Sequence, residues 1–515
     1  MADEEEKLIA EDMRTLHRFG YAQELARCLG AFSNFAISLS IICILAGGIT
    51  SFHIGFCSVG GASIGLGWPI VALFALIVAM AMAQIASAFP TAGGLYHWAS
   101  ILGGRGFGWF TAWFNLAGLV TVLAAINVGT CHFAFRAFFD DKPNEWMQFA
   151  IVLIMTASQA LINHMGIRWT ARLTDLSGYL IFVVAFALTA MLLVSAPTWD
   201  WSRLWTFTNY GGQPNPTDAI WPAAPTPWLF VLGFLLPAYT ITGFDASAHA
   251  AEETVGAAQR VPRGIVGSVL ASGLAGWVML IAIVLAIPDM DATADAGDNA
   301  IHQIFQQVLS TPARYLLVSG IVACQYLCGL ATVTSASRMA FAFARDGGLP
   351  SLLRHVSPTH RTPVWAIWTV SLSSVLFTAF TPVYMTITAV CTIFLYISYV
   401  IPIALGFVAY GRTWTRMGPW QLGGFYRPLA LVSVIGCVGF IVIGVQPPNA
   451  IALPVVGGVT AILFCGWFFA RNRFPGPPQD VLDQHRLDEI RKAEEAVHQA
   501  NEATLAENKK SGTDT

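Results

Sequence analysis

The chain alternates long apolar runs with short polar connections from residue 31 to residue 470. An apolar run of about 20 residues is long enough to cross the hydrocarbon core of a bilayer as an α-helix. The pattern predicts twelve such helices, of which the short run 364–380 and the proline-edged run 428–445 are the most weakly marked. The predicted spans are 31–54, 67–90, 107–139, 146–163, 173–196, 228–249, 264–288, 312–343, 364–380, 384–410, 428–445 and 451–470.

The composition agrees with an all-α integral membrane protein. Of the 515 residues, 55% are hydrophobic and 11% are charged, and the mean hydropathy is +0.61. Soluble domains carry about 25% charged residues. The lipid bilayer is therefore an expected partner, and nucleic acid is not.

The distribution of basic residues predicts the orientation of the chain. By the positive-inside rule, loops rich in Arg and Lys lie in the cytoplasm. The loops that follow an even number of predicted spans hold Arg105, Arg168, Arg172, Arg260, Arg263, Arg345, Arg354, Arg361, Arg412, Arg416 and Arg427. The opposite loops hold only Arg136, Lys142, Arg203 and Arg314. We expect a multi-pass protein of the plasma or inner membrane with both termini cytoplasmic and no cleavable signal peptide.

The two ends of the chain lie outside the apolar runs. Residues 1–30 have apolar positions at roughly helical spacing, which predicts a helix on the cytoplasmic membrane surface; a regulatory lid over a cytoplasmic vestibule is the alternative. Residues 471–515 are charged and predict a cytoplasmic tail with a short amphipathic helix and a disordered end.

The most polar part of any predicted span is Pro237-Ala-Tyr-Thr-Ile-Thr-Gly-Phe-Asp-Ala-Ser-Ala-His-Ala-Ala-Glu-Glu-Thr254. A charge near the bilayer centre costs on the order of 3 kcal/mol even on lenient scales, so Asp245 should face a cavity or a partner. Gly243 precedes it by two residues, and glycine lets a helix open its backbone at the least steric cost. This stretch is the first candidate site.

The first span contains Ala46-Gly-Gly-Ile-Thr50, with two adjacent glycines inside the apolar run. Interrupted segments at corresponding places in two halves of a chain are a sign of a transporter site at the bilayer midplane. We therefore pair 31–196 with 228–410 as inverted five-span repeats in a ten-helix core, 31–410, and place 411–470 outside the repeat. A helix broken there exposes free N–H groups, which suit a substrate carboxylate.

Other polar residues give weaker signals. Cys324 and Cys328 are one helical turn apart, but no histidine or carboxylate accompanies them at ligand spacing, so we expect no metal and no cofactor. The histidines are scattered, and a solvated or packing role is expected for the five near span ends, which are His53, His97, His132, His164 and His249.

A set of motifs resembles the amino acid–polyamine–organocation superfamily, and within it the amino acid/choline transporter group that includes γ-aminobutyrate and choline permeases. Besides the two glycine-containing breaks, the motifs are Gly20-Tyr-Ala-Gln-Glu-Leu-Ala-Arg27, Phe89-Pro-Thr-Ala-Gly-Gly-Leu-Tyr96, Glu252-Glu-Thr254, Val261-Pro-Arg-Gly264, Ala344-Arg-Asp-Gly-Gly-Leu-Pro350 and Arg361-Thr-Pro363. The resemblance implies a five-plus-five inverted repeat that holds its substrate between broken spans 1 and 6.

The resemblance also implies roles for particular residues. The segment that binds the substrate carboxylate through its backbone matches Ala46, Gly47, Gly48 and Ile49, with Thr50 at its end. The second break, which meets the amino group, matches Gly243 and Phe244, while Tyr239 matches a gating aromatic and Asn115 a polar residue that lines the pocket. Ordinary aromatic packing is the alternative for Tyr239 and Phe244.

Energy coupling is the least determined property. Some family members use a lysine in the fifth span, but none of the lysines here lies in a predicted span. The candidate coupling residues are Asp245, Glu252 and Glu253, with H⁺ as the expected ion. Thr334 and Ser335 are a candidate cation site if Na⁺ drives transport instead. For Asp245, a permanent ion pair with Arg338 and a direct contact with a substrate ammonium group are the alternatives.

The sequence favours a secondary active transporter that imports an amino acid or a related amine such as γ-aminobutyrate. A choline or polyamine carrier and an exchanger remain as alternatives, and a sensor that binds without transport is a further one. An enzyme is not expected, because the chain has neither His-Glu-x-x-His nor paired intramembrane aspartates. No Walker motif is present, which argues against ATP as the energy source.

Overall fold

The computed structural model describes residues 2–357, 359–380, 384–478, 487, 488 and 490–495. Regular structure in these residues is helical, apart from two isolated β-bridges, one of which joins Leu29 to Thr254. Most of the predicted C-terminal tail lies outside the described residues. The helices up to residue 195 are α1 (Ala2–Arg18), α2 (Ala31–Ile42), α3 (Gly47–Thr50), α4 (Phe52–Val59), α5 (Trp68–Ala88), α6 (Leu95–Gly103), α7 (Arg105–Phe139), α8 (Glu145–His164) and α9 (Ile167–Ser195).

The second part of the chain is also helical. A connection that includes the short 3₁₀ helix Trp201–Leu204 joins the two parts. The helices are α10 (Thr226–Gly233), α11 (Leu235–Thr240), α12 (Ala246–His249), α13 (Ala257–Ala286), α14 (Met290–Asp295), α15 (Ala300–Val308), α16 (Thr311–Arg345), α17 (Val364–Phe380), α18 (Tyr384–Ala409), α19 (Tyr426–Gly444) and α20 (Ala452–Ala470).

Ten helical segments among the described residues are long and apolar enough to cross a membrane. Each overlaps a span predicted from the sequence, which confirms the all-helical membrane class. The two other predicted spans, 228–249 and 364–380, overlap the shorter apolar helices Thr226–Thr240 and Val364–Ala379. The twelve-span count therefore depends on including these two.

Two of the predicted spans are interrupted near their middle. Helix α2 ends at Ile42, where Cys43 leaves helical geometry with φ 10° and ψ 91°, and the helix resumes as α3 at Gly47. Helix α11 ends at Thr240, and the chain turns at Gly243 with φ +81° before α12 begins at Ala246. That φ lies in the left-handed region, which only glycine adopts without strain.

Helix α1 and the described residues 490–495 meet at one end of the helical bundle, because His17 Nε2 lies 2.7 Å from Glu494 Oε1. We call this end the terminal face, and the other end the opposite face. Helix α1 packs against protein through the buried residues Asp12 and Leu16. This contact with the bundle favours the alternative of a lid over the terminal face, and the helix on the membrane surface stays a prediction.

Candidate functional site

The two helix interruptions face each other inside the bundle. A Cβ atom added at Gly47 would lie 2.8 Å from both Cα and Oγ1 of Thr240, so the backbones of the two breaks are in direct contact there. A Cβ at Gly243 would lie 2.3 Å from Cγ2 of Ile41. Both glycines are thus required by close approach, and Gly243 also by its positive φ. Gly48 has more room, because its nearest neighbour would be Cε of Met279 at 3.5 Å.

Asp245 lies directly after the second break and is fully buried. Its carboxylate has three neighbours from three different helices. The hydroxyl of Tyr399 on α18 donates to Oδ1 at 2.7 Å, and Nδ2 of Asn115 on α7 donates to Oδ2 at 3.0 Å. Nε2 of His249 on α12 lies 3.3 Å from Oδ2. The carboxylate therefore has the hydrogen-bonding partners that a buried charge requires.

Tyr399 also fixes the backbone of the second break. Its hydroxyl accepts a hydrogen bond from the N–H of Gly243 at 3.0 Å, and its ring packs against Phe244 with the centroids 5.1 Å apart. The same hydroxyl donates to Asp245. One side chain of α18 therefore couples the conformation of the break to the charge on Asp245.

Hydrogen-bonding groups around the breaks remain without partners in the described part of the chain. The backbone N–H groups of Ile44 and Leu45 in the first break, and of Phe244 in the second, have no acceptor. Oδ1 of Asn115 and Oε1 of Gln325 are buried with no donor. Buried polar groups are rarely left unpaired, and each such group calls for an explanation. Free N–H donors in the breaks, together with free oxygen acceptors on residues that contact Leu45 and Asp245, suit a small zwitterion.

The first span is tied to the second break by side chains. The hydroxyl of Ser38 donates to the carbonyl of Phe244 at 2.8 Å and accepts from the N–H of Ser247 at 3.0 Å. Nδ2 of Asn34 donates to the carbonyl of Ser247 at 3.0 Å. Helix α2 and the segment that follows the second break therefore form one hydrogen-bonded unit.

Tyr384 closes the site toward the opposite face. Its hydroxyl lies 2.7 Å from Oγ1 of Thr50 and 3.0 Å from Oγ of Ser51, and its ring meets Tyr239 edge-on with the centroids 6.4 Å apart. On the side of this contact toward the opposite face lies a cavity of about 620 Å³, whose lining includes Ile49, Thr50 and Tyr384. Ala46, deeper in the first break, is buried.

Two buried ion pairs lie between the second break and the terminal face. Arg345 binds Glu252 with two hydrogen bonds of 2.8 and 3.0 Å. Arg338 binds Glu253 with two hydrogen bonds of 3.1 Å. The alternative ion pair between Asp245 and Arg338 is therefore wrong, because the guanidinium is engaged by Glu253. Glu252 and Glu253, predicted as coupling residues, are both held by arginines.

Helix α1 and the segment that follows it cover these pairs. The carboxylate of Asp12 accepts from the N–H groups of Gly256 and Ala257 at 2.6 and 3.1 Å, so it caps the start of α13. Arg27 pairs with Asp12 at 3.3 Å and donates to the carbonyl of Thr254. Burial raises the pKa of Asp12 despite the nearby Arg27 and the two N–H donors. The terminal face is thereby closed over Glu252 and Glu253.

A second anchor of this segment is Asp346, just after α16. Its Oδ2 accepts from the hydroxyls of Tyr21 and Tyr96 at 2.8 and 2.9 Å, and lies 3.0 Å from Nε2 of His97. Burial acts to raise the pKa of Asp346, but His97, Arg345 and Tyr21 outweigh it and hold that pKa below its ordinary value. His97 is thus part of a buried polar cluster, so of the solvated and packing roles expected for it the solvated one is wrong.

The candidate cation site lies on α16. Oγ1 of Thr334 donates to Oδ1 of Asn163 on α8 at 2.7 Å, whereas Oγ of Ser335 is buried without a partner.

Sγ of Cys328 lies 3.4 Å from the carbonyl of Ile41, and Cys324 is a free thiol. Among the described residues, no group of three or more His, Cys, Asp or Glu is placed to hold a metal ion.

Sequence reasoning singled out Asn115 but missed the other residues around Asp245. His249 is completely buried rather than solvated, and its spacing of one helical turn from Asp245 was the available signal. Tyr399 and Tyr384 could not be singled out in this way, because aromatic residues inside an apolar run are ordinary packing residues. Their helix, α18, is also far from the second break along the sequence.

Comparison with known proteins agrees with this geometry. The family model "Amino acid permease" matches residues 29–469. The "Amino-acid permease BAT1" of Arabidopsis thaliana is 33% identical over 91% of this chain and 96% of its own length. A homologue of that permease from Oryza sativa subsp. japonica is 31% identical over 90% of this chain and 94% of its own.

A relative with a more specific name is the "GABA-specific permease" of Saccharomyces cerevisiae, which is 29% identical over 71% of this chain and 65% of its own length. The family match covers most of the chain, and the similarity to the plant permease extends over nearly its full length. Together they show the family of this chain. The chain belongs to the amino acid permease family of the amino acid–polyamine–organocation superfamily, a family of multi-pass membrane transporters rather than enzymes.

Proposed function

We propose that this permease imports an amino acid or a closely related amine such as γ-aminobutyrate, and that the solute binds between the two helix breaks. The observation that carries the proposal is the combination of unpaired groups there. The N–H groups of Ile44 and Leu45 are donors without an acceptor, and Oδ1 of Asn115 is a buried acceptor without a donor. A substrate carboxylate would accept from the two N–H groups, and a substrate ammonium group would donate to Oδ1 of Asn115.

This arrangement favours one substrate class over its alternatives. Choline and polyamines have no carboxylate, so they would leave the donors of the first break unpaired, at a cost of about 1–3 kcal/mol for each buried group. The name of the yeast relative supports γ-aminobutyrate as a specific candidate. We infer that the solute carries both an amino and a carboxylate group.

The wider architecture belongs to the same proposal. The repeats 31–196 and 228–410 are inverted copies within a twelve-span chain, each with a break in its first span. Residues 411–470 lie outside this core, and the ends 1–30 and 471–515 are cytoplasmic, so the terminal face is the cytoplasmic face of the plasma or inner membrane. The contact between the two breaks at Gly47 and Thr240 supports a pairing of the two halves.

We propose H⁺ as the coupling ion. Asp245 lies beside the break, and its partners Asn115, Tyr399 and His249 come from separate helices, so its charge state can affect how those helices pack. Sodium coupling is the alternative, and it has less support, because Thr334 of the candidate cation site is directed at Asn163 on α8.

Uptake into proteoliposomes tests the proposal. Purified permease is given radiolabelled γ-aminobutyrate, a panel of amino acids, choline or putrescine, under an imposed proton or sodium gradient. We expect accumulation of a solute with both charged groups, driven by an inward proton gradient. Accumulation of choline or putrescine but no amino acid would contradict the substrate class, and accumulation that follows only the sodium gradient would contradict the coupling ion.

A further inference from the structure

His249 is held between an acid and a backbone carbonyl. Its Nε2 lies 3.3 Å from Oδ2 of Asp245, and its Nδ1 lies 3.2 Å from the carbonyl oxygen of Ala92, in the loop between α5 and α6. The ring is fully buried, and Gly94 packs against it, since a Cβ there would lie 3.0 Å from Cε1. Each ring nitrogen therefore has one specific neighbour.

The neighbours determine where the hydrogens are. A carbonyl oxygen only accepts hydrogen bonds, so Nδ1 must carry a hydrogen to bond Ala92. The carboxylate of Asp245 already accepts from Tyr399 and Asn115, and an ionised carboxylate is likewise only an acceptor. Both contacts of the ring are satisfied together when Nε2 is also protonated, so the arrangement fits an imidazolium beside a carboxylate.

Loss of one proton would break one of the two contacts. A neutral imidazole has one N–H, so a lone pair would then face either Ala92 or Asp245, both of which carry only acceptors toward the ring. A buried unpaired polar group costs about 1–3 kcal/mol, and more beside a charge. The protonated ring thus stabilises the contact between the second break and the loop at Ala92, and the neutral ring releases one side of it.

The other ionisable groups around the ring are committed elsewhere. On its own segment, Glu252 and Glu253 are paired with the α16 residues Arg345 and Arg338, respectively. On α6, His97 is paired with Asp346, and on α18, Tyr399 donates to Asp245. Among the described residues, Asp245 is the acid in contact with the His249 ring, and this pair can change charge without leaving a buried arginine unpaired.

We propose that His249 carries the transported proton, with Asp245 as the anion that holds it. This inference rests on the proposed proton-coupled import. With the neutral ring in its Nδ1–H tautomer and the site open toward the opposite face, the carboxylate of Asp245 takes up a proton and passes it to the lone pair of Nε2, and the imidazolium holds the carbonyl of Ala92 through Nδ1–H. When the terminal face opens and the loop at Ala92 moves away, Nδ1 gives its proton to water there, and the neutral ring keeps its Nε2–H bond to Asp245.

The variant H249Q tests the proposal. Glutamine can donate a hydrogen bond to Asp245, but its amide does not take up a proton near neutral pH. We expect H249Q to lose accumulation driven by a proton gradient, and its remaining exchange of labelled for unlabelled substrate to lose its pH dependence. The matched control is H355Q, at an exposed histidine in the loop after α16, which should behave like the parent.

The outcomes separate this inference from the function on which it rests. Proton-driven accumulation in H249Q would overturn the role of His249 and leave proton coupling intact. A parent protein whose accumulation ignores the proton gradient would overturn both. If H249Q does not fold, infrared difference spectra of the parent labelled with ¹³C-histidine decide the matter: we expect an imidazolium band to change on substrate addition, and no change in any histidine band would overturn the proposal.

Discussion

The contact between the two breaks predicts the effect of a single methyl group at Gly47. In Gly47→Ala the new Cβ would lie 2.8 Å from the Cα and Oγ1 of Thr240, so the two backbones must separate. Overpacking of this kind costs about 1–3 kcal/mol, which the better helix propensity of alanine offsets by about 1 kcal/mol. The net change in the free energy of unfolding is therefore small, at about 0–2 kcal/mol.

The effect of Gly47→Ala on substrate should be larger than its effect on the fold, because the displacement falls on the groups that we propose bind the solute. If about 1.4 kcal/mol of the strain weakens substrate binding, the affinity for substrate falls about tenfold. Gly48→Ala should lose less, since its Cβ would meet the flexible ends of Met279 at 3.5 Å and Leu280 at 3.9 Å.

Equilibrium binding of labelled substrate and thermal unfolding in detergent measure the two effects separately. The control is Gly439→Ala in α19, where a Cβ has no neighbour within 4 Å and substrate affinity should equal that of the parent. Parental affinity in a folded Gly47→Ala protein would refute the reasoning, as would an equal loss in Gly439→Ala.

Three further predictions concern the buried polar contacts. Glu253→Gln leaves Arg338 buried without its counter-charge, and should destabilise the protein by about 3–5 kcal/mol, measured as a fall in the thermal unfolding temperature. Tyr21→Phe removes a donor to the charged Asp346 and should cost about 1–3 kcal/mol, measured as faster trypsin cleavage of the N-terminal segment. Asp245→Asn should still exchange substrate but lose gradient-driven accumulation in proteoliposomes.

Control variants and contradicting results test these predictions. Asp488→Asn removes one partner of an exposed pair with Arg491 and should change stability by less than about 1 kcal/mol; an equal effect would contradict the role of burial. Tyr315→Phe alters a half-exposed ring on α16 and should leave cleavage unchanged. An Asp245→Asn protein that concentrates substrate as the parent does would contradict proton coupling through this group.

Sequence and structure agree best where one dominant force decides the outcome. The long spans were predictable because burial of about 20 apolar residues in lipid leaves the backbone no alternative to a helix. The breaks were predictable because Gly47 and Gly243 stand where a helix interior disfavours glycine. The contact of the N-terminal helix with the bundle could not be predicted, because its apolar spacing does not distinguish lipid from protein and the role of Asp12 depends on the distant start of α13.

The partners of the site residues were not predictable from the sequence. Asp245 could be singled out by its cost of burial, but the donors Asn115 and Tyr399 lie 130 and 154 positions away along the chain. Which face of α7 or α18 turns toward the break depends on the packing of the whole bundle. For the same reason, hydropathy could not tell that Arg338 pairs with Glu253 rather than Asp245.

The central claim is that the solute binds between the two helix breaks, and a cryo-EM structure of the permease with its transported amino acid tests it most directly. We expect density beside residues 43–46 and 241–245, with the carboxylate near the N–H groups of Ile44 and Leu45 and the amino group near Oδ1 of Asn115. Density confined to the cavity above Tyr384, with the breaks unoccupied at saturating substrate, would contradict the account.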